Sequence, residues 1–401
     1  MSQTYEPNLP IQVSRKGDVA SNRLDKPLMC SRCGLCYANR REQLPDACVF
    51  VGNRYEEIEL RLHGRGRVPT SDEDMFGIFQ HMYTARLKQP VEGAQWSGIM
   101  STAASMLLKN NMVDGVIVVD NVPGTRFKPM PRVATTVEEI FAAKGNKPCL
   151  SQNVSAIEEA EKRGLKRIAF IGNGCQTHAV RAIQDTLPFE KVYFLGLPCT
   201  DVVTYQKWNK FLEVVSKSPS TVVHLEFMPD YRVWMKHEDG HIEKIGFFEL
   251  DLDKMGADIF PDSCLSCFDY ANALSDITIG YLGAIMPYQW ITVRTKVGEE
   301  LFEMLRPHLE FTPLVEKGDY HRAVQLSVDM LSKPPRKLPK WGAKLLTFVV
   351  RHRGLKGINF ARGTLTMKWA RNLDHIRKNF PAHEDKLVPE FAKRVLKRYG
   401  M

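Results

Sequence analysis

Four cysteines fall within nineteen residues near the start of this chain, as Cys30-x2-Cys33-x2-Cys36 followed by Cys48. Each of the first three thiols lies one short turn from the next, so they can take three corners of an iron–sulfur cubane. The fourth corner can come from a residue further along, here Cys48. Two other uses of such thiols stay open at this point, a zinc site and reduced structural cysteines. Zinc sites more often pair two separate Cys-x2-Cys knuckles than run three cysteines in series. The run also differs from the bacterial ferredoxin pattern, which returns its fourth cysteine after three residues and follows it with proline.

Strand and helix patterns alternate through the middle of the chain. Gly115–Val119, Arg167–Ile171 and Val192–Gly196 read as buried strands, with helical periodicity at 153–163 and from Gln176 to Asp185. That alternation predicts parallel βαβ units. Residues 222–228, 231–236 and 242–248 instead suggest antiparallel strands, with a hairpin turn at Asp239-Gly240. The expected fold class is therefore mixed α/β. A polar arm over 1–29 would lead into an N-terminal iron–sulfur segment over 30–90. A cofactor-binding core over 91–332 and a basic, partly helical tail over 333–401, including a helix from Lys386 to Arg398, would complete the chain.

The other cysteines are dispersed: Cys175, Cys199 and the pair Cys264-x2-Cys267. Cys175 and Cys199 each follow a predicted strand closely. In a parallel sheet, residues just past the carboxyl ends of neighbouring strands converge on one crevice. With the Cys264/Cys267 knuckle they could form a second [4Fe–4S] site, although isolated cysteines after strands are commonly packed thiols. Cys149 is left over and reads as structural, and His224 within an apolar run as a core histidine. The Ser97–Ala103 segment can be either a flavin or phosphate contact at a helix start or a capped core helix.

Clustered thiols suit a reducing compartment, and the first residues lack a signal-peptide core. No run approaches the roughly 18 apolar residues that span a bilayer. A cytoplasmic protein is expected. Charge is uneven: the chain carries +9 overall, but residues 333–401 hold 18 basic and 4 acidic residues, leaving the remainder mildly acidic. That distribution excludes a uniformly basic nucleic-acid binder. No P-loop, GxGxxG or HExxH pattern occurs.

Several stretches together resemble one family. Ile171-Gly172-Asn173-Gly174-Cys175-Gln176 matches its G-x-x-C-Q motif. Ser263-Cys264-Leu265-Ser266-Cys267-Phe268-Asp269, followed by Ser275-Asp276-Ile277-Thr278-Ile279-Gly280-Tyr281-Leu282-Gly283, matches its C-x-x-C-x-D…D-I-x-x-G-x-x-G signature. Val293-Arg294-Thr295 continues that signature. Ser97, Gly98 and Thr102 match its S-G-G-x-x-T, with Ile99 in place of the second glycine. Over roughly residues 25–310 the chain thus resembles the beta-subunit family of deazaflavin-reducing hydrogenases. Gly93-Ala94-Gln95-Trp96-Ser97-Gly98, His63-Gly64-Arg65-Gly66-Arg67 and the short Gly283–Ile291 link are similar to its chlorophyll-biosynthetic branch.

The resemblance implies FAD and two [4Fe–4S] clusters. It implies cluster ligands at Cys30, Cys33, Cys36 and Cys48, and at Cys175, Cys199, Cys264 and Cys267. It implies flavin contacts at Ser97, Gly98, Thr102, Gln176, Asp276, Gly280 and Arg294. The implied activity is ferredoxin-dependent reduction of the C8 vinyl group of divinyl (proto)chlorophyllide in a phototrophic bacterium. Reduction of a 7-hydroxymethyl group, deazaflavin oxidation and simple electron relay are the other readings. His178 and Tyr288 are the candidate proton donors. Reduced ferredoxin, a chlorophyllide-type tetrapyrrole, a membrane surface met by the basic tail and a second copy of the chain are the expected partners; nucleic acid is not.

Overall fold

The structure, a computed structural model, describes residues 29–401 apart from Ala38, Asn39, Ala257, Leu282 and 334–337. The arm expected over 1–29 lies outside the described residues except for Met29. The Val/Ile-rich runs form the strands expected of them: β1 (His81–Leu87), β2 (Gly115–Asn121), β3 (Pro129–Ala134), β4 (Arg167–Gly172) and β5 (Lys191–Gly196). A separate antiparallel sheet follows as β6 (Val222–Met228), β7 (Arg232–His237) and β8 (Ile242–Gly246), with Gly240 at φ +84° in the β7–β8 turn. The chain then returns to the first sheet with β9 (Ile277–Gly280), β10 (Gln289–Val293) and β11 (Leu309–Thr312).

The large sheet has the order β11-β1-β10-β9-β5-β4-β2-β3. Its centre, β2, β4, β5 and β9, is parallel, and both flanks are antiparallel. The sheet is therefore mixed, as expected. The flanking strands β1, β10 and β11 are an addition that strand-by-strand reading does not show.

Period-two alternation sends side chains to opposite faces of this sheet. Ile168, Phe170, Val192 and Phe194 enter one core, while Ala169, Tyr193 and Leu195 enter the other. Helices Ile99–Lys109 and Lys296–Leu305 cover the second face through Ala103, Leu107, Leu301 and Phe302. Helix Gly174–Ile183 and the cysteine-bearing N-terminal segment cover the first, together with the C-terminal helices. The β6–β8 sheet packs against helix Tyr205–Val215 through Trp208, Phe211, Leu225 and Met235.

The basic C-terminal stretch is largely folded into the body. The 22-residue helix Ile358–Asn379 buries Leu365, Trp369, Ala370, Leu373 and Ile376 in the first core. Helix Glu390–Lys397 adds Phe391, Val395 and Leu396; it starts later than expected because Pro389 caps it. Many of the tail's cations meet carboxylates from far back in the chain. Arg362 pairs with Asp72 at 2.7 Å, Arg394 with the fully buried Asp74 at 2.6 Å, and Lys368 with Asp201 at 2.9 Å. A buried carboxylate such as Asp74 is tolerated only with such a partner.

Trp369 is fully buried, with its ring 6.1 Å from Phe268 and 5.5 Å from Phe391. Trp369→Ala is expected to cost about 3–5 kcal/mol, read as a lowered denaturation midpoint. A midpoint close to the wild type would show that this helix is not part of the core.

Candidate active site

The first thiol quartet sits on a loop held against residues 152–155. Gly34 makes that approach possible. Its φ is +103°, and a Cβ there would lie 2.5 Å from the Gln152 carbonyl oxygen. Next to it the Val154 N–H donates to the Cys33 carbonyl at 3.0 Å. Burial, and then the charges of Cys48, Cys30 and Cys36, push the Cys33 thiol up to about 12, with the Leu35 N–H opposing them. The backbone of Phe50 and Val51 donates to Cys48, and the Arg32 N–H to Cys30 Sγ at 3.3 Å. Cys30 itself is exposed.

The second quartet gathers where topology directs it. Cys175 opens helix Gly174–Ile183 beyond β4, Cys199 follows β5, and Cys264 and Cys267 lie on the Asp262–Leu265 turn and just after it. Burial raises the Cys175 thiol far above its usual value, reinforced by Cys267, Cys33, Cys199 and Cys264. Val49 and Phe50, directly after Cys48, line one small cavity with Cys175 and Cys267, which sets the two quartets side by side. Burial likewise pushes Cys264 up to about 12 and Cys267 to about 11. N–H groups of Val202 and Asp269 face the latter two sulfurs.

The helix Ile358–Asn379 clamps this second quartet. Asn372 Nδ2 donates to the carbonyls of Cys264 at 3.2 Å and Cys267 at 2.7 Å, and Lys368 Nζ donates to the Cys264 carbonyl at 3.1 Å. Lys368 is the cation that favours the thiolates of Cys199, Cys264 and Cys267. Among the described residues, no three His, Cys, Asp or Glu side chains form a group suited to a single metal ion. The donor chemistry nonetheless fits two clusters: two sets of four thiols, N–H groups aimed at sulfur, and burial that lets thiolates exist only against positive charge.

A cleft of about 390 Å³ lies next to the second quartet, over the carboxyl ends of all four parallel strands. Val118 and Val119 of β2, Ile171 and Asn173 at β4, Pro198 and Cys199 after β5, and Gly280 and Tyr281 after β9 all line it. That is the crevice position of open parallel sheets. One side is aromatic: Tyr281 and Phe360 line it with their rings 5.7 Å apart, and Trp96, outside the lining, stacks on Tyr281 at 5.3 Å and 13°. Lys144 and Lys147 stand at another part of the wall. Burial pushes the Lys147 ammonium down to about 8. Three buried polar atoms here have no partner among the described residues: Ser151 Oγ, Asn153 Oδ1 and Tyr281 Oη. A flat, polar-edged aromatic ligand such as a flavin fits these features.

Of the residues expected at a flavin, Gly98, Gln176 and Gly280 line the cleft. Gly98 has φ +89°, and a Cβ there would meet Val91 Cβ at 2.8 Å, so the turn into the Ile99–Lys109 helix requires glycine. Ser97 is buried behind it and donates to Gln289 Oε1 at 3.1 Å; Gln289 is itself on the wall. Thr102, one turn along the helix, does not line the cleft.

Asp276 and Arg294 do not line the cleft. Asp276 is buried against Arg181 at 2.7 Å and accepts from the Phe194 N–H at 2.8 Å and Thr295 Oγ1 at 2.7 Å. Arg294 donates to the carbonyls of Phe76, Ile78 and Ala271 at 2.8, 3.0 and 3.0 Å. Both groups have their hydrogen bonds committed to holding the loops together, outside the cleft wall. The proton-donor candidates are also displaced. His178 Nδ1 faces the Ala47 carbonyl at 3.2 Å in a small cavity beside Cys175 and Cys267, and burial pushes its imidazole down to about 4. Tyr288 donates to Glu310 Oε1 at 2.9 Å on the far flank of the sheet. His224 is half-buried beside the Glu226 carboxylate at 3.0 Å, so it is not a core residue. Cys149 packs in the third core, as expected of a structural thiol, though one edge reaches the cleft.

Sequence reading missed Tyr281 and Phe360 as cleft residues. Tyr281 adjoins a motif residue already singled out, Gly280; Phe360 carried no local signal.

Fold and site together define a mixed-sheet α/β protein with a ligand cleft over a parallel centre and two thiol quartets beside it. Residues 82–158 match the N-terminal region, and residues 165–317 the C-terminal region, of the family described as "coenzyme F420 hydrogenase/dehydrogenase, beta subunit". The chain belongs to this family. It is 43% identical over 374 residues to an uncharacterized protein of Nostoc sp., covering 93% of this chain and 94% of that protein. It is 39% identical over 389 residues to the 7-hydroxymethyl chlorophyll a reductase of Oryza sativa subsp. japonica, covering 92% and 82%. A chain in the F420-reducing [NiFe] hydrogenase complex of Methanosarcina barkeri shares the fold, with TM-score 0.54 and 24% identity over 72% of this chain and 92% of that one.

Clusters held by these two quartets would be lost separately. Cys33→Ala and Cys175→Ala are each expected to lower bound iron by about half, measured on anaerobically purified protein. Unchanged iron in either variant would remove that thiol from the ligand set.

Proposed function

We propose that this chain is an iron–sulfur flavoprotein that reduces a chlorophyll-type tetrapyrrole, with the C8 vinyl group of divinyl (proto)chlorophyllide as the group reduced. The observation that carries the reading is the serial arrangement of the site. Exposed Cys30 marks the outer edge of the first quartet, Val49 and Phe50 beside Cys48 share a cavity with Cys175 and Cys267 of the second, and Cys199 of the second lines the aromatic-walled cleft. Clusters exchange single electrons and a flavin holds a pair, so these cofactors supply the two-electron reduction that a vinyl group needs. Cys30, Cys33, Cys36 and Cys48 would hold one cluster, and Cys175, Cys199, Cys264 and Cys267 the other.

The chain's own residues supply recognition and a proton. Tyr281 and Phe360 offer stacking area to a planar ligand, and Lys144 offers an ammonium group to a phosphate or carboxylate. Burial, helped by Tyr270, Tyr231 and Asp230, holds the Tyr281 phenol well above its usual value. Tyr281 therefore keeps its proton across the physiological range, and its hydroxyl, without a partner among the described residues, sits on the cleft wall. Reduced ferredoxin is the proposed donor, meeting the protein at the exposed edge near Cys30. Similarity to the rice enzyme, named as a 7-hydroxymethyl chlorophyll a reductase, supports a chlorophyll-type substrate. The same likeness favours a second reading in which a 7-hydroxymethyl group is reduced.

Anaerobic incubation with reduced ferredoxin and divinyl chlorophyllide is expected to give a product heavier by two hydrogens. Turnover of only the hydroxymethyl pigment would contradict the vinyl assignment and support the second reading. Tyr281→Phe is expected to lower kcat roughly 100-fold with KM little changed. Full activity in that variant would remove Tyr281 as the proton source.

A further inference from the structure

The helix Lys340–Arg353 differs from its neighbours in what it leaves to solvent. Its inner stripe, Ala343 and Thr347, is buried against Gly246 and the turn that follows β8. Its outer stripe is also apolar: Trp341 is 71% exposed, Leu345 55%, Phe348 57% and Val349 44%. At about 100° per residue these four positions, i, i+4, i+7 and i+8, share one arc of roughly 100°. Lys340, Lys344 and Arg351 fall on one flank of that arc and Arg353 on the other.

These cations differ from those of the helices that follow. Arg362, Lys368 and Arg394 are taken up by Asp72, Asp201 and Asp74. None of Lys340, Lys344, Arg351 and Arg353 pairs with a carboxylate among the described residues. The sequence places eleven basic and no acidic residues between Asp329 and Asp374. Much of the surplus positive charge therefore remains at this helix, beside an exposed apolar ridge.

We infer that this helix is a docking surface for an anionic lipid bilayer. An amphipathic helix with a Trp/Leu/Phe ridge between lysines and arginines lies in the plane of a membrane interface. The ridge enters the acyl boundary while the cations meet lipid phosphates. A second copy of the chain fits less well, because a two-fold contact through this face would set its unpaired cations against one another. An acidic protein would satisfy the charge and leave the ridge of large apolar side chains without a counterpart. Among the described residues no helix is long and apolar enough to cross a membrane, so the contact is peripheral. The inference stands apart from the identity of the substrate.

Flotation of the full-length protein with vesicles tests it. Wild type is expected to float with phosphatidylcholine vesicles containing phosphatidylglycerol, to remain behind with phosphatidylcholine alone, and to be released by salt. Lys340→Glu/Lys344→Glu should weaken flotation on the order of tenfold, and Trp341→Glu/Phe348→Glu should abolish it. All four side chains are solvent-facing, so both variants should melt as the wild type does. No flotation of wild type, or equal flotation on neutral vesicles, would overturn the assignment. So would concentration-dependent dimers, or ferredoxin binding, lost in Trp341→Glu/Phe348→Glu without any vesicle binding in the wild type.

Discussion

Thiols taken out of water set the terms for the rest of this structure. Burial disfavours a thiolate, and seven of the eight grouped cysteines are at least partly shielded. Thiolates can occupy such positions only where positive charge and N–H donors replace the lost hydration. The surrounding architecture provides both. Backbone N–H groups from Leu35, Phe50, Val202 and Asp269 face sulfur, and Lys368 stands beside the second quartet. Gly34 lets the first loop close against the body.

The same requirement explains why the C-terminal helices are integral. Lys368 and Asn372 reach the loop carrying Cys264 and Cys267, and Asp201, two residues after Cys199, fixes the Lys368 ammonium. Trp369, on the same helix, supports Phe268 directly after Cys267. The parallel strand centre sets the other boundary. Its carboxyl ends deliver Cys175 and Cys199 to one side of the sheet's end and open the aromatic cleft over the adjoining strands. Thiols and cleft are neighbours because the same strand ends build both.

Much of this was legible in the sequence where the signal is local. The β-branched runs at 115–119, 167–171 and 192–196 became central strands because burial on both faces demands continuous apolar residues. Cys30 to Cys48 could be grouped from spacing, and Cys175 and Cys199 from their positions after strands. Partners remote in sequence left no such trace. β1 pairs with β10 in a register that sets His81 opposite Val293. Asp72, Asp74 and Asp201, which absorb part of the tail's charge, lie far back in the chain, which is why that tail read as a separate basic segment. Asp276 and Arg294 show a different limit. A motif marks residues the fold needs, without separating those that touch a ligand from those that brace the loops around it. Tyr281 went unnoticed beside Gly280 because an aromatic side chain after a strand has many uses, and only the assembled cleft selects one.

The account turns on two adjacent thiol quartets, joined at the small cavity that Val49 and Phe50 share with Cys175 and Cys267. Low-temperature electron paramagnetic resonance of the anaerobically reduced full-length protein, paired with iron analysis, tests that directly. The predicted result is about eight irons per chain and two reduced-cluster signals broadened by spin coupling to each other. Zinc in place of iron, or one cluster whose signal shows no coupling, would contradict it.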